Sequence, residues 1–390
     1  QSTGSSVSSS SSASQSGGAS SSGGEDAQQP DGSQPDQSQP DTSAPALTAQ
    51  GSYDFSQPAP AREAVDNSYF DDAAFVGDSR TDGFLIYSGI GTGKNLTSNG
   101  LSIFKLAEKK ALTIDGQEYT LLEALALQQY GKVYLSLGVN ELGYNNDKGF
   151  YNAYCNAIDA IRAVKSEEEF DAIRRAQVIT DACFEHMLGY IKPGVREIDA
   201  ALEMEVFMKS HGAGKLAFDT IFVSGAKTSL PHGVPGDKRI EAGDFVTMDF
   251  GANVDGYCTD MTRTVAVGHV SDEQKKVYDT VLKAQLACCG FAKAGYKGCE
   301  VDKVARDIIY GAGYEGCFGH GLGHAVGIEI HENPRYSPTC SDIIQSGMVM
   351  TIEPGIYLPG KFGVRIEDTT FVRPDGCEIV GKSPKELIVL

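Results

Sequence analysis

Residues 249–260 read Asp249-Phe-Gly-Ala-Asn-Val-Asp255-Gly256-Tyr-Cys-Thr-Asp260. Two strand-like segments flank a turn rich in Asn, Asp and Gly, a pattern that is typical of a β-hairpin. Asp249 and Asp260 lie nearly symmetrically about this turn, so we expect them to face each other across the two strands, within reach of one metal ion or two. The alternative is that one carboxylate belongs to the turn and the other to the surface.

A second segment places histidines among glycines. It reads Gly319-His320-Gly-Leu-Gly-His324-Ala-Val-Gly-Ile-Glu-Ile-His331 and holds three of the chain's seven histidines. Glycine lets the backbone approach a ligand closely, and neutral imidazole is the commonest metal ligand. A structural role in the core would account for one of these histidines but not for all three.

Two glutamates occur in apolar, strand-like surroundings. Glu353 lies in Met350-Thr-Ile-Glu353-Pro-Gly, and Glu367 lies in Gly363-Val-Arg365-Ile-Glu367-Asp368. A carboxylate that is buried without a partner is unfavourable, so each glutamate requires a nearby cation. For Glu367, an ordinary ion pair with Arg365 is the alternative to a metal ion.

These residues form a predicted metal-ligand set of two aspartates, two glutamates and one histidine. Four oxygen ligands and one imidazole favour Mn²⁺ over a structural zinc ion, which would use thiolates; Co²⁺ and Zn²⁺ are the alternatives. Two divalent ions held in this way would activate a water molecule, so the set predicts a hydrolase. The predicted ligands are Asp249, Asp260, His324, Glu353 and Glu367.

Composition excludes several classes of protein. The formal net charge is −19 over 390 residues, whereas nucleic-acid-binding proteins concentrate Lys and Arg. No apolar run approaches the roughly 18 residues that cross a bilayer, so we expect no transmembrane span. The nine cysteines are odd in number and include no CxxC pair, which indicates free thiols rather than a disulfide framework.

Composition and hydrophobic patterning divide the chain into three parts, residues 1–66, 67–162 and 163–390. Residues 1–66 are a low-complexity stretch rich in Ser, Gly and Gln, and we expect a disordered tail or linker there. In residues 67–162, strands at 73–76 and 132–137 each run into a glycine-bearing turn, which predicts part of a parallel α/β sheet.

Residues 163–390 are predicted to be α+β, with helices outside a curved antiparallel sheet. Ser166 with Glu169, and Ser271 with Gln274, form capping boxes that open two helices. A further helix is indicated by the helical spacing of Ile198, Leu202 and Val206. The last third of the chain consists of strand-like segments and glycine turns.

The motifs of this part resemble the Xaa-Pro aminopeptidase and prolidase branch of the pita-bread (M24) metallopeptidases. The related methionyl aminopeptidases lack the Arg-Ile-Glu pattern, and creatine-hydrolysing relatives lack the metal ligands. The resemblance implies a pita-bread fold, a homodimer, and peptide substrates with proline at the second position. It extends from Val164 to the end of the chain, with Ser229-Leu-Pro-His232-Gly-Val-Pro, Met248-Asp249-Phe-Gly, Thr259-Asp260-Met-Thr-Arg-Thr, His320-Gly-Leu-Gly-His324, Ile352-Glu353-Pro-Gly and Val364-Arg365-Ile-Glu367-Asp in the family's order.

The resemblance also implies catalytic roles. A hydroxide that bridges the two metal ions attacks the scissile carbonyl, and Glu353 passes the water's proton to the leaving nitrogen. His232 and His331 are similar to the family's substrate-side histidines, which contact the substrate and stabilise the oxyanion. His320 and Arg365 are similar to residues that fix the ligands and orient the substrate.

Residues 67–162 resemble a different family, the SGNH/GDSL esterases, through Gly77-Asp78-Ser79-Arg80 and Gly138-Val-Asn140-Glu141. This resemblance implies a flavodoxin-like α/β fold with Ser79 as nucleophile and Gly100 and Asn140 in the oxyanion hole. Esterases of this family also need an Asp-x-x-His motif, but no histidine precedes His186. We therefore expect a truncated, vestigial segment that is less well ordered than the peptidase part or docks against it.

Several alternatives are open at this point. The enzyme can be an Xaa-Pro aminopeptidase, an Xaa-Pro dipeptidase (prolidase) or a methionyl-type aminopeptidase. A serine esterase with a peptidase-like appendage and a non-enzymatic binding protein are alternatives from other classes, but the five retained ligand positions favour a peptidase. The free cysteines and the family favour the cytoplasm, whereas the Ser-rich tail is typical of an extracellular or lipid-anchored protein.

Overall fold

The computed structural model describes residues 64–128 and 130–390. The predicted disordered tail, residues 1–66, lies outside this part of the chain except for its last three residues. The described residues belong to one compact unit, Ala64–Leu390. Within the described ranges, no helix combines the length and the apolar character that a membrane span requires.

The N-terminal part of the described chain contains a small parallel sheet. Its central strand is β1, which pairs in parallel with β2 on one side and β5 on the other. Both strands predicted from the sequence are thereby confirmed, and β1 is buried along its whole length, as expected for a central strand. The elements are β1 (Ala73–Gly77), α1 (Ser79–Tyr87), β2 (Lys94–Thr97), β3 (Leu112–Ile114), β4 (Gln117–Tyr119), α2 (Leu121–Leu125), β5 (Lys132–Ser136) and α3 (Asp147–Ala163).

Four longer helices follow, and both predicted capping boxes are present. The Ser166 hydroxyl accepts a hydrogen bond from the Glu169 backbone N–H, and the Glu169 carboxylate accepts one from the Ser166 N–H at 2.6 Å. Ser271 and Gln274 repeat this arrangement. The helices are α4 (Glu167–Tyr190), α5 (Glu197–Ser210), α6 (Asp272–Phe291) and α7 (Gly298–Gly311).

Helix α5 exists as predicted, but it does not bury the residues that indicated it. Ile198, Leu202 and Val206 are exposed. The buried face carries Glu197, Ala200, Ala201, Met204 and Met208 instead. Both faces satisfy helical spacing, so periodicity alone could not choose between them.

The C-terminal strands pair antiparallel, as predicted. They form sheets in the orders β11-β8-β7, β10-β9-β6 and β13-β12-β14-β17-β18, together with the hairpin β15-β16. The strands are β6 (Lys215–Leu216), β7 (Ile221–Ser224), β8 (Phe245–Phe250), β9 (Ala252–Val254), β10 (Tyr257–Cys258), β11 (Met261–Ala266), β12 (Gly323–Ala325), β13 (Glu332–Tyr336), β14 (Val349–Ile352), β15 (Gly355–Leu358), β16 (Phe362–Arg365), β17 (Asp368–Val372) and β18 (Cys377–Ile379).

Two apolar clusters hold these strands between helix pairs. In one cluster, Phe184 and Met204 of α4 and α5 pack with Met248 and Val265 of β8 and β11. In the other, residues of α6 and α7 pack with those of β14 and β16. The strands that carry the predicted metal ligands are therefore fixed from both sides by buried apolar contacts.

The end of α3 and the short segment between α3 and α4 are attached to β13 by charged side chains. The Lys165 ammonium lies 2.7 Å from Glu332 Oε2, and the Arg162 guanidinium lies 2.5 Å from Glu332 Oε1. The side chains of Lys165 and Glu332 are only 1% and 7% exposed. Glu332 opens β13 directly after His331, so the junction contacts the strand next to a predicted substrate-side histidine.

We predict that Glu332→Gln destabilises the protein, because it removes the negative charge that faces buried Lys165. Loss of one partner of a buried ion pair costs about 3–5 kcal/mol, and urea denaturation would measure it. The matched control is Glu329→Gln, whose side chain is 69% exposed and 3.8 Å from Arg162, with an expected change within about 0.5 kcal/mol. Equal losses in both variants would contradict the prediction.

Candidate metal centre

The two aspartates lie on neighbouring strands but not opposite each other. Asp249 in β8 is in register with Thr262 of β11, and Asp260 directly precedes β11. The predicted face-to-face pairing is therefore wrong by two residues. The reason is that the turn at Asp255-Gly256 closes the separate short pair β9–β10 rather than β8–β11. The two aspartates remain diagonal neighbours, and both are buried.

His324 in β12 has the orientation of a metal ligand. Its Nδ1 lies 3.1 Å from the Ala325 carbonyl oxygen, so Nδ1 carries the proton and Nε2 keeps a free lone pair. Nε2 lies 3.5 Å from both Asp260 Oδ2 and Glu353 Oε1. Burial lowers the pKa of His324 to about 3, which keeps the imidazole neutral.

The strand ladder brings the two glutamates together. Ile352 of β14 is in register with Asp368 of β17, so Glu353, which follows Ile352, lies close to Glu367, which precedes Asp368. Glu367 Oε2 accepts a hydrogen bond from the Thr262 hydroxyl at 2.6 Å. Both glutamates are thus placed by the pairing of β14 with β17.

The arrangement fits a divalent metal ion. Ligand atoms of Asp260, His324 and Glu367 all lie within 4.8 Å of one another. Asp249 Oδ1, Asp260 Oδ1 and Glu367 Oε1 are buried and find no hydrogen-bond partner among residues 64–128 and 130–390. Such oxygens are unfavourable unless a cation compensates them, and carboxylates with an imidazole are the ligands that Mn²⁺ and related ions prefer.

The crowded, buried carboxylates also have raised pKa values. Burial, with the charges of Glu367 and Asp249, raises the pKa of Asp260 well above its usual range. Burial and the charge of Glu353 do the same for the pKa of Glu367. Burial raises the pKa of Glu353 to about 8, against the opposing effect of Arg365. A bound cation would favour the ionised forms of all three groups.

Arg365 is a buried guanidinium that connects the ligands to two neighbouring elements. It donates hydrogen bonds to Asp249 Oδ2 at 2.6 Å and to the Thr262 hydroxyl at 3.0 Å. It also donates to the Pro231 carbonyl oxygen at 3.1 Å and to the Tyr357 hydroxyl at 2.8 Å. Arg365 therefore pairs with Asp249 and not with Glu367, and the ordinary ion pair considered for Glu367 does not explain that residue.

The three other predicted histidines lie around the carboxylates. His320 Nε2 is 2.8 Å from the Tyr357 hydroxyl, and His320 Nδ1 is 3.9 Å from Glu353 Oε2. The ring of His331 contacts that of His324 edge to face, with centroids 4.5 Å apart. His232 is exposed, and its charge adds to burial and Arg365 in lowering the pKa of His320 to about 3.

Sequence reasoning missed three hydroxyl groups at this centre. Thr262 donates to Glu367, Thr351 donates to Glu353 Oε1 at 3.4 Å, and Tyr357 bridges His320 and Arg365. Both threonines stand among apolar strand residues close to a predicted ligand, which is a signal that could have identified them. Tyr357 carries no such signal, because its contacts depend on the pairing of β15 with β16.

Comparisons with known proteins identify the family of this chain. The model of "Metallopeptidase family M24" matches residues 171–374. The chain belongs to this family. An uncharacterized peptidase, YqhT, of Bacillus subtilis (strain 168) is 40% identical over 302 residues, which cover 74% of this chain and 86% of the relative. The Xaa-Pro dipeptidase of Pyrococcus furiosus is 44% identical over 233 residues, 60% of this chain and 67% of that enzyme.

Solved structures of family members support the predicted pita-bread fold. The structure of an Xaa-Pro dipeptidase from Bacillus anthracis is 39% identical, covers 81% of this chain and 86% of its own, and has a TM-score of 0.60. A prolidase from Pyrococcus furiosus covers 64% of this chain and 76% of its own at 41% identity, with a TM-score of 0.59. Because this chain belongs to the M24 family, it is a metallopeptidase.

The esterase-like residues of the N-terminal part lie at the carboxyl ends of paired strands. Ser79 begins α1 just after β1, and Asn140 follows β5, which pairs with β1. The Asn140 amide donates to the Leu101 carbonyl oxygen at 2.8 Å, which places it beside Gly100. All seven histidines occur at position 186 or later, so this part of the chain offers Ser79 no imidazole of its own.

We predict that Mn²⁺ raises the melting temperature of chelator-treated protein, because the cation compensates the crowded carboxylates. At 100 times the Kd the gain is about 2.7 kcal/mol, measurable by calorimetry alongside metal analysis. Glu367→Gln, which removes a ligand, should reduce the gain. Glu378→Gln, an exposed glutamate of β18 paired with Arg373, should keep it in full. The same gain in Glu367→Gln as in the wild type would rule out Glu367 as a ligand.

Proposed function

We propose that this M24 peptidase is a metal-dependent exopeptidase that releases the residue preceding proline from Xaa-Pro peptides. The observation that carries the proposal is the convergence of three buried, unpartnered carboxylate oxygens with the free nitrogen of His324. The substrate class comes from the relatives, two of which are Xaa-Pro dipeptidases by name.

The metal site consists of Asp249, Asp260, His324, Glu353 and Glu367, and we propose that it holds two divalent ions, with Mn²⁺ favoured by the oxygen-rich ligand set. When bound, such ions polarise a carbonyl oxygen and lower the pKa of a water molecule. Arg365 fixes one oxygen of Asp249 and leaves the other for the metal. Thr262 fixes Glu367 in the same way.

Glu353 is the group proposed to move the proton. Its side chain is 16% exposed and lies 3.5 Å from His324 Nε2 and 3.9 Å from His320 Nδ1. A carboxylate between the ligands and the substrate-side histidines can accept the proton of the attacking water and deliver it to the leaving nitrogen. The Thr351 hydroxyl and the bond from the Glu353 N–H to the Leu322 carbonyl at 2.8 Å hold it in place.

The histidines are proposed to act on the substrate. His320 is partly exposed, and His232 and His331 are exposed, which leaves ring nitrogens available to a peptide. A donor aimed at the scissile carbonyl oxygen stabilises the negative charge that develops there. Tyr357 orients His320, and Arg365 supports the segment that carries His232 through Pro231.

Proline explains the use of a dedicated enzyme. An Xaa-Pro bond lacks the amide N–H and has a fixed φ, so peptidases that bind an extended backbone through hydrogen bonds handle it poorly. A centre built on carboxylates, metal and histidine acts on the carbonyl and the tertiary nitrogen without requiring that N–H. Aminopeptidase and dipeptidase activity use the same centre and differ in the length of peptide accepted.

We predict that Mn²⁺-loaded protein hydrolyses Ala-Pro and Ala-Pro-Ala, with kcat/KM at least about tenfold above that for Met-Ala-Ala. Chelation should abolish hydrolysis, and added Mn²⁺ should restore it. Hydrolysis of both proline peptides would assign an aminopeptidase, and hydrolysis of the dipeptide alone would assign a dipeptidase. Efficient cleavage of Met-Ala-Ala with none of either proline peptide would refute the proposal in favour of a methionyl-type enzyme.

We also propose that residues 67–162 are a truncated relative of the SGNH esterases without esterase activity. The parallel order β2-β1-β5 and the positions of Ser79, Gly100 and Asn140 after the strands support the relationship. The missing imidazole argues against activity, because a serine hydroxyl without a base is a poor nucleophile at neutral pH.

Two substitutions separate the esterase and peptidase proposals. Ser79→Ala should leave peptide hydrolysis unchanged, whereas Asp260→Asn should reduce it by at least about a hundredfold, since Asp260 is a proposed metal ligand. Neither the wild type nor Asp260→Asn should hydrolyse p-nitrophenyl acetate through Ser79. Ester hydrolysis that survives Asp260→Asn and disappears with Ser79→Ala would overturn the assignment of an inactive segment.

A further inference from the structure

The segment that carries His232 is tied at both ends to one buried carboxylate. This segment, residues 225–236, is here called the His232 loop. It connects β7 with the stretch that leads to β8, and His232, Leu230 and Val234 are exposed on it. Glu197, the first residue of α5, lies beneath the loop and is fully buried.

Both oxygens of Glu197 are used: Oε1 binds the residue before the loop, and Oε2 binds one residue near its start and the residue at its end. Oε1 accepts hydrogen bonds from the Ser224 N–H at 2.8 Å and from the Ser224 hydroxyl at 3.0 Å, just before the loop begins. Oε2 accepts from the Lys227 ammonium at 2.8 Å and from the Gly236 N–H at 3.2 Å, where the loop ends. One carboxylate therefore closes a loop of twelve residues, 225–236.

The start of α5 strengthens this closure through its backbone. The Glu197 N–H donates to the Lys238 carbonyl oxygen, and the Ile198 N–H donates to the Gly236 carbonyl oxygen, both at 3.0 Å. The backbone N–H groups at the start of α5, which have no partner within the helix, thus donate to carbonyl oxygens at and just after the end of the loop. The middle of the loop has a separate attachment, from Arg365 to the carbonyl oxygen of Pro231.

We propose that Glu197 is a positioning residue that sets the location of His232 for catalysis. The inference rests on the proposed function, since it assigns His232 a role on the substrate side. Arg365 holds the loop at Pro231, next to His232, and Glu197 holds the loop at both ends. These three attachments fix the position of His232. Glu197 has no predicted contact with substrate or metal, and it acts only through the loop.

Glu197→Gln tests this role with little change in shape. The amide keeps one acceptor oxygen but replaces the other with a donor. When the new amide oxygen accepts from Ser224, the new amide nitrogen faces the Lys227 ammonium and the Gly236 N–H. All of these groups are donors, so they form no hydrogen bond with one another. The end of the loop is then released, while the side-chain volume and the packing of α5 are retained.

The expected result is a loss of kcat/KM of about tenfold, in the same kinetic parameter that His232→Ala changes. In the His232→Ala background, Glu197→Gln should have no further effect, because a residue that acts only through His232 loses its influence when the imidazole is absent. The cycle is measured on whichever peptide the wild type cleaves, so failure of the Xaa-Pro assignment does not affect it.

The matched control is Glu203→Gln on the same helix. Glu203 lies 2.7 Å from His186 on the partly exposed side of α5, and its loss should change kcat/KM by less than about twofold. Hydrogen exchange in metal-free protein gives a second readout that needs no activity. Amides of residues 225–236 should exchange about tenfold faster in Glu197→Gln than in the wild type or in Glu203→Gln.

Two results would overturn the proposal. One is an equal loss of activity from Glu197→Gln in the wild-type and His232→Ala backgrounds, which indicates a general structural effect. The other is unchanged exchange of the loop amides in Glu197→Gln, which shows that the carboxylate does not hold the loop. Either result leaves the metal centre and the substrate assignment untouched, since those are tested with chelator and peptides.

Discussion

The constraint on which this structure depends is the concentration of buried negative charge. Burial raises the pKa values of Asp260, Glu353 and Glu367, and the charge of Asp249 adds to the rise in all three, while Arg365 neutralises only Asp249 through a direct bond. Bringing these groups together opposes folding in the absence of a cation. The two apolar clusters on either side of the strands provide the burial that offsets this cost and hold the carboxylates where a metal needs them.

Strand pairing sets the positions of the buried carboxylates. Each ligand lies in or next to a strand, and the ladders β8–β11 and β14–β17 join segments that are about twenty residues apart or less in sequence. Hydroxyl groups then complete the placement, since each bond from a threonine fixes one carboxylate oxygen and leaves the other for a cation. Strand pairing and these hydroxyl bonds together set the positions of the carboxylates.

The sequence predicts features that depend on neighbouring residues in the chain. It does not predict features that depend on how separate segments pack together. Capping boxes at Ser166 and Ser271, and the strands predicted at 73–76 and 132–137, depend on neighbours in sequence, and the structure contains them with strand ends shifted by one residue. The ligand residue types were recognisable because few other residues bind hard cations. The register of Asp249 with Thr262, the partner of Arg365 and the buried face of α5 depend on packing between distant segments. Local patterns contain no information about those contacts.

Two ion pairs outside the candidate metal centre hold the backbone at or next to a histidine. Glu332 lies next to His331 and is held by Lys165, while Arg306 of α7, paired with Asp302, donates to the carbonyl oxygen of His320 at 2.6 Å. Bonds from these buried charges add to the apolar packing of Phe318, Leu322 and Ala325 in setting the backbone of the glycine-rich segment. Lys165 lies before residue 171, where the family match begins. The support of His331, a proposed catalytic residue, consequently extends into the junction that precedes residue 171.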